Sequence, residues 1–324
     1  MSFISRVVGC TVGGIVGALL ASSAAAQPYP NKPVRIIVPY QAGQGTDVAT
    51  RHFAEQLSKA LGQSFFVENR PGAGGNIGTD LAAKATPDGY TLTMGTNATH
   101  SMNQYMYPSM PFDAEKDFEP IVLTGMLPMV ISAHPSFPAN SLAELIAEAK
   151  SKPDTLNVAL PSTTARIVYE LLKERTKAPL FGVPYKGSST AMAETLGGQV
   201  PLIIDTVTAT RPLVAGGKLK PLAITTLKTS ELLPGVKSVA EQGVPQFEVT
   251  AWNALYAPRG TPPAIIKVLN AEMVKILNQP ETRQRLLQLG FEPAGGTNEA
   301  LAEFGRVERK KWGELIKSAN IKSE

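Results

Sequence analysis

The sequence predicts an α/β protein of two lobes with a ligand cleft between them. Three observations carry this expectation. Apolar runs of strand length alternate with segments of helical spacing from Val34 to about Gly125. A second alternating series starts near Met129, and the chain returns near Trp252 with three helical segments still to come. Strands alternating with helices imply parallel βαβ units, and two such series with a late return imply two lobes joined by crossing segments. One sheet running unbroken through both series would sink that division.

The first strand, Val34–Val38, runs into the glycine-bearing turn Gln41-Ala42-Gly43-Gln44-Gly45, and a helix opens at Thr46-Asp47. A strand, a tight turn and a helix N-terminus in succession form a ready anion site, because first-turn amides have no intrahelical acceptor. Helical spacing holds over 48–61 until Gly62. A strand follows at 64–68, a short helix at 77–85 stopped by Pro87-Asp88-Gly89, and a strand at 91–94. In the second series, strand 129–132 precedes a helix over 142–151 that Ser141 caps, with Glu144 three residues on completing a capping box. Strand 156–160, helix 165–176, strand 182–184, helix 189–196 and strand 202–205 continue the alternation. A strand at 222–226 and the return at 252–257 precede helices over 263–277, 281–289 and 299–318, the first opened by Pro262-Pro263. The expected lobes are therefore 27–125 plus 252–324, and 126–251.

Residues 1–26 read as a signal peptide: Arg6, an apolar run from Val7 to Ala21, then Ala24-Ala25-Ala26 before Gln27. Cleavage after Ala26 and export to the periplasm are expected, since the run is Gly-rich and shorter than the ~18 residues of a membrane span. Cys10 is the only cysteine, so the mature chain has no disulfide, thiol chemistry or Cys-ligated metal. Loss of Arg6 leaves 30 basic against 27 acidic residues, a net charge near +3. Without a basic block, nucleic-acid binding has little support, and the slight excess weakly favours anionic ligands.

Candidate chemistry is sparse. The three histidines, His52, His100 and His134, lack metal-ligand spacing, and no GxSxG elbow surrounds any serine. Neither a cofactor nor a metal is expected. The run Gly72-Ala73-Gly74-Gly75-Asn76-Ile77 follows the second strand and breaks the G-x-G-x-x-G pattern at Ile77, so it reads as a close backbone turn. Thr96-Asn97, Ser162-Thr163-Thr164 and Ser188-Ser189 stand at strand–helix junctions, where one hydroxyl can both cap a helix and bind a carboxylate.

Several motifs in one order resemble the Bug family, the periplasmic receptors of tripartite tricarboxylate transporters. They are Tyr29-Pro30-Asn31-Lys32-Pro33, the strand and turn ending in Gly45-Thr46-Asp47, and Glu68-Asn69-Arg70-Pro71-Gly72-Ala73-Gly74-Gly75 with Ile77-Gly78. Pro87–Leu92, Asp117-Phe118, Val183–Gly187, Gly197–Val200, Pro258–Pro262 and Lys311-Trp312 continue the series across nearly the whole mature chain. The resemblance implies a Venus-flytrap fold of type II-like topology, no catalysis, and a ligand carboxylate held by one turn from each lobe. Tyr40, Gln41 and Gln44 replace the Phe, Pro and Gly usual in the first turn, and Leu160–Thr164 with Arg166 replaces a Gly-rich segment and a His in the second. Fewer glycines imply more side-chain contact with the ligand.

The expected ligand contacts are Tyr40, Gln41, Gly43, Gln44, Gly45, Thr46, Asp47, Asn76, Thr96, Asn97, Ser162, Thr163, Thr164, Arg166, Tyr185, Gly187 and Asp205. A bulky residue at Gly43 is expected to weaken binding. Arg166, a permanently charged fork, suits a second carboxylate, and Tyr40 and Tyr185 suit a planar ring or carbon chain, so a dicarboxylate, aromatic or not, is the favoured ligand. The opposing expectation is that Arg166 pairs with Glu170 one helical turn on. Three readings stay open: a monomeric receptor feeding a tripartite tricarboxylate-type transporter, a sensor docking on a membrane signalling protein, and an envelope enzyme.

Overall fold

The computed structural model describes residues 29–322. The signal peptide and its cleavage site lie outside the described residues. In chain order the elements are β1 (Val34–Val38), α1 (Gly45–Leu61), β2 (Phe65–Asn69), α2 (Asn76–Ala83), β3 (Thr91–Thr96), α3 (Asn103–Met106), β4 (Phe118–Ala133), α4 (Leu142–Ser151), β5 (Leu156–Leu160), α5 (Thr163–Thr176), β6 (Leu180–Pro184) and α6 (Ser188–Leu196). Then come β7 (Leu202–Thr206), α7 (Val207–Ala215), β8 (Lys220–Ile224), β9 (Thr250–Pro258), α8 (Pro263–Asn278), α9 (Pro280–Gln288), β10 (Glu292–Pro293) and α10 (Asn298–Ser318). A 3-10 turn at Ala73–Gly75 leads into α2, and a π-turn at Ala98–Met102 leads into α3.

Both α/β series form as expected, and within each the strands are parallel: β1 with β2 and β3, and β5 with β6 and β7. The returning strands are antiparallel. β9 lies between β3 and β4, and β4 pairs antiparallel with β7 and β8. The hydrogen-bonded path is continuous from β2 to β6, but its continuity rests on β4 alone. Residues Phe118–Pro128 of β4 face β9, and from Met129 onward the strand faces β7, with β8 alongside from Val130. The change of partner falls at Pro128/Met129, three residues past the expected boundary. A strand of this length was not foreseen, because Pro120 and Pro128 read as breaks. Register shifts after Pro120 and Leu123 let the ladder pass the first of them.

Local chemistry explains the elements that position the site. β1 is apolar except for Arg35, which pairs with Glu68, and is almost wholly buried, as a parallel strand covered on both faces must be. α1 lays Phe53, Ala54 and Leu57 into the core and ends at Gly62 in the left-handed region (φ 68). Ser141 caps α4 by accepting from the Glu144 amide, while the Glu144 carboxylate accepts from the Asn140 amide, one residue earlier than a regular capping box places it. α7 was not expected, since Pro212 within it reads as a breaker; Thr206 starts it by accepting from the Ala209 amide at 3.2 Å. α10 is fastened by Glu308, whose Oε2 accepts from Trp252 Nε1 of β9 at 2.9 Å and from Trp312 Nε1 at 2.7 Å.

Candidate ligand-binding site

Three helices begin at one place. α1 and α5 both start earlier than their apolar spacing predicts, at Gly45 and Thr163, and the extra residues form polar first turns. Gln44, Gly45 and Thr46 at the head of α1, Ser162 and Thr164 at the head of α5, and Thr206 at the head of α7 line a small inner pocket of about 30 Å³. Thr96 and Asn97 beyond β3, Asp205 at the end of β7, and Ala251 and Asn253 of β9 close it. First-turn amides of three helix N-termini give this pocket the donors of an anion site without any cationic side chain.

Two asparagines are set symmetrically in it. Thr164 Oγ1 donates to Asn97 Oδ1 at 3.2 Å, and Thr46 Oγ1 donates to Asn253 Oδ1 at 3.1 Å. Each hydroxyl occupies the amide oxygen, and the two Nδ2 groups are buried with no hydrogen-bond partner among the described residues. Gln44 Oε1 and Asp205 Oδ2 are likewise buried without a well-formed hydrogen bond, although the Ser188 hydroxyl, itself unmatched, stands beside Asp205. Asp205 Oδ1 accepts from the Thr206 amide at 2.7 Å. Burial pushes the Asp205 carboxyl up to about 6, and the Ser188 hydroxyl and the Thr206 amide only partly oppose that. Unmatched buried polar atoms are costly, so four in one small pocket mark a place built for a polar group.

Tyr40 and Ser162 also line a second, larger cavity of about 880 Å³ that adjoins the inner pocket. Its walls are Pro39–Gln41 and Pro71–Gly75 on one side and Leu160–Thr163 and Phe181–Lys186 on the other. One face of α5 supplies Arg166, Tyr169, Glu170 and Lys173, spaced as a helix spaces neighbours. Arg166 meets both expectations at once. It borders the cavity, and its Nε lies 3.9 Å from Glu170 Oε1, the outer limit of an ion pair. Its charge also lowers the pKa of Tyr107, which burial raises. The Tyr40 hydroxyl meets Thr96 Oγ1 at 2.8 Å and is pushed up to about 12 by burial. The Tyr185 hydroxyl donates to Glu194, and burial together with that carboxylate raises it to about 12.

Two glycines at the cleft leave no room for a side chain. A Cβ on Gly45 would stand 2.7 Å from Thr206 Oγ1, and one on Gly74 (φ 63) would stand 2.6 Å from the Tyr107 hydroxyl and 2.9 Å from Thr163 Oγ1. The 3-10 turn carrying Gly74 thus meets the head of α5 across the cleft, as Gly187 meets the Gln41 side chain.

The expected site residues sort accordingly. Gln44, Gly45, Thr46, Thr96, Asn97, Thr164 and Asp205 border the inner pocket; Gln41, Thr163, Arg166 and Tyr185 border the cavity; Tyr40 and Ser162 border both. Gly43, Asp47, Asn76 and Gly187 border neither. Gly43 is exposed with open space beyond it, and its amide donates to Asp47 Oδ2, which Arg51 also engages. Asn76 accepts from Asn103 Nδ2 at 2.6 Å. Asn253, Thr206, Tyr107 and Lys173 were missed. Asn253 carried a signal, as a polar residue inside the apolar run of β9. Among the described residues no group of three His, Cys, Asp or Glu could hold a metal. His100 is buried, stacked on Tyr256 with ring centroids 4.2 Å apart, and His134 meets Ser136 Oγ in an exposed turn.

Known proteins share this architecture. Residues 49–321 match the family described as tripartite tricarboxylate transporter family receptor. The structure of R. palustris Rpa4515 with adipate is 35% identical, with a TM-score of 0.88, over 91% of this chain and 99% of that one. The periplasmic binding protein BugD is 34% identical, with a TM-score of 0.87, over 91% of this chain and 100% of its own. MatC from Rhodopseudomonas palustris with bound malate is 32% identical, with a TM-score of 0.83, over 89% of this chain and 100% of that one. The two-lobed periplasmic-binding-protein fold is common to these structures and this chain.

Proposed function

The chain belongs to the tripartite tricarboxylate transporter receptor family, the Bug receptors, and on that premise we propose that it captures a small organic dicarboxylate in its cleft and delivers it to a tripartite tricarboxylate-type membrane transporter. The single observation that carries the reading is the convergence of the α1, α5 and α7 N-termini on the inner pocket. One carboxylate enters there, where amides, hydroxyls and the two asparagine Nδ2 groups donate. Charge-assisted hydrogen bonds of this kind are worth about 1.5–3 kcal/mol each. The second carboxylate lies in the larger cavity against Arg166 and Lys173, and Tyr40, Tyr107 and Tyr185 flank the carbon chain. The adipate and malate held by the relatives are dicarboxylates of this size.

In this reading the protein is exported, its leader is cleaved after Ala26, and it acts as a monomer that binds without turnover. Its lobes are 27–125 with 252–324, and 126–251. The cleft closes on the ligand by rotation of one lobe against the other, the common motion of two-lobed receptors. Thermal-shift screening of mono-, di- and tricarboxylates tests the reading, because a ligand that binds only the folded state raises the melting temperature. Stabilisation by dicarboxylates, confirmed by calorimetry, is the expected result; the absence of any carboxylate effect would refute it.

A further inference from the structure

The inner pocket asks for a donor as well as an acceptor. Among its lining residues Asn97 Nδ2 and Asn253 Nδ2 are unmatched donors and Asp205 Oδ2 and Gln44 Oε1 unmatched acceptors, with only the Ser188 hydroxyl beside Asp205. An ionised carboxylate only accepts, so it satisfies the asparagines and leaves the Asp205 carboxylate facing another negative group. The pocket's 30 Å³ has room for only a few water-sized groups, so a carboxylate seated there lies close to Asp205. Two carboxylates in one buried site do not both stay ionised.

We infer that Asp205 shares a proton with the inner carboxyl group of the bound ligand, so that capture of a carboxylate takes up one proton from solution. This rests on the proposed carboxylate-receptor function and adds a role for Asp205 within it. Burial already raises the Asp205 carboxyl to about 6, so little further shift is needed at neutral pH.

Neighbouring groups leave Asp205 alone in this role. β4 presents Met129 to the pocket, Ser162 and Thr164 come from the head of α5 and Thr206 from the head of α7, and Ser188 of α6 stands beside Asp205. Tyr40, from the turn before α1, also titrates, and burial keeps its hydroxyl protonated. The charged groups of the surrounding elements are engaged elsewhere. Asp47 of α1 holds Arg51, and Arg166, Glu170 and Lys173 of α5 border the larger cavity. Arg175 of α5 donates to Pro245 O, and Glu194 of α6 accepts from Tyr185. Arg211 of α7 donates to the carbonyls of Leu287 and Gln288, Lys220 of β8 donates to Phe137 O, and Glu119 of β4 pairs with Arg259.

Calorimetry of the mature chain with adipate and with malate, at about pH 7.5 in buffers of differing ionisation enthalpy, counts the protons taken up. The expected result is close to one proton per ligand, with affinity falling up to roughly tenfold for each pH unit above about 7. The variant Asp205→Asn is expected to take up none and to lose the pH dependence. Equal heats in all buffers for the wild type would overturn the inference, as would undiminished uptake by the variant. Malate binding without proton uptake would also overturn it, and would mean that the ligand hydroxyl serves Asp205 instead. If the variant does not fold, the wild-type proton count decides alone. No heat with either acid at any pH would refute carboxylate capture itself, and this inference with it.

Discussion

Thr46 and Thr164 hold the same position, second residue of α1 and of α5, and each hydroxyl turns an asparagine amide into the inner pocket: Asn253 at 3.1 Å and Asn97 at 3.2 Å. The two helices come from different α/β series, so the pocket is assembled by parallel means from each side. Asn97→Asp keeps the acceptor for Thr164 and exchanges the inward donor for a negative charge. Calorimetry is expected to record a loss of about 10- to 100-fold in carboxylate affinity, the equivalent of one charge-assisted hydrogen bond. An unchanged affinity would remove Asn97 from the site.

Arg166 divides its charge between Glu170 and the cavity. Arg166→Ala is expected to weaken adipate at least tenfold and hexanoate little, because only the dicarboxylate reaches it. Equal losses for the two acids, measured side by side, would assign the arginine to the ion pair alone.

The close approach at Gly45 contrasts with the open space at Gly43. A methyl group at Gly45 collides with Thr206 and pushes α1 from α7, so Gly45→Ala is expected to cost at least tenfold in affinity. Gly43→Ala meets no neighbour but holds a positive φ of 85°, which costs about 1 kcal/mol of stability. Its effect on affinity is the smaller of the two. Melting curves beside binding isotherms separate these effects, and the reverse ranking would return the ligand contact to Gly43.

Asp205 is kept buried at a cost in stability. Its folded pKa, about 6, lies above the ordinary value near 3.9. The folded state therefore binds the proton more tightly, a stabilisation present below about pH 3.9 and lost as pH rises through 6. Asp205→Asn, which mimics the protonated acid, is expected to stabilise the unliganded protein by up to about 3 kcal/mol at pH 8 and by almost nothing near pH 4. Urea midpoints at the two pH values check this; a variant less stable at pH 8 would contradict it.

His100 acts in the opposite sense. Burial, with Arg309 nearby, lowers it to about 3, so it is neutral in the folded protein. Its contribution is present above about pH 6.5 and lost as pH falls from 6.5 towards 3. His100→Gln is expected to flatten that acid limb of the stability profile, and an unchanged slope would exclude the histidine as its source.

Much of this was legible in the residues. The alternation of β1, α1, β2 and β3 could be read from period and glycine stops, and so could the heads of the helices near Gly45 and Ser162. Long-range partners could not. β4 reads as a broken segment because Pro120 and Pro128 forbid particular ladder bonds, and only the register shifts and change of partner along it reconcile them. Asn253 enters the pocket because β9 returns between β3 and β4, a placement that no local pattern encodes. Gly43 and Gly45 are alike in sequence. Their opposite surroundings depend on α7, a helix that Pro212 concealed.

The clamp of Glu308 on Trp252 and Trp312 makes the protein a spectroscopic instrument. These are the chain's only two tryptophans, and both indoles bind one carboxylate. All tryptophan emission therefore arises from a single locus. Neither ring borders the cavity or the inner pocket, yet strand alternation puts Trp252 on the reverse face from Ala251 and Asn253, which do. Emission wavelength and quenching thus report the seating of α10 against β9 without direct contact with the ligand. A change in emission wavelength on adding a non-absorbing ligand would mean that the contact between α10 and β9 had shifted.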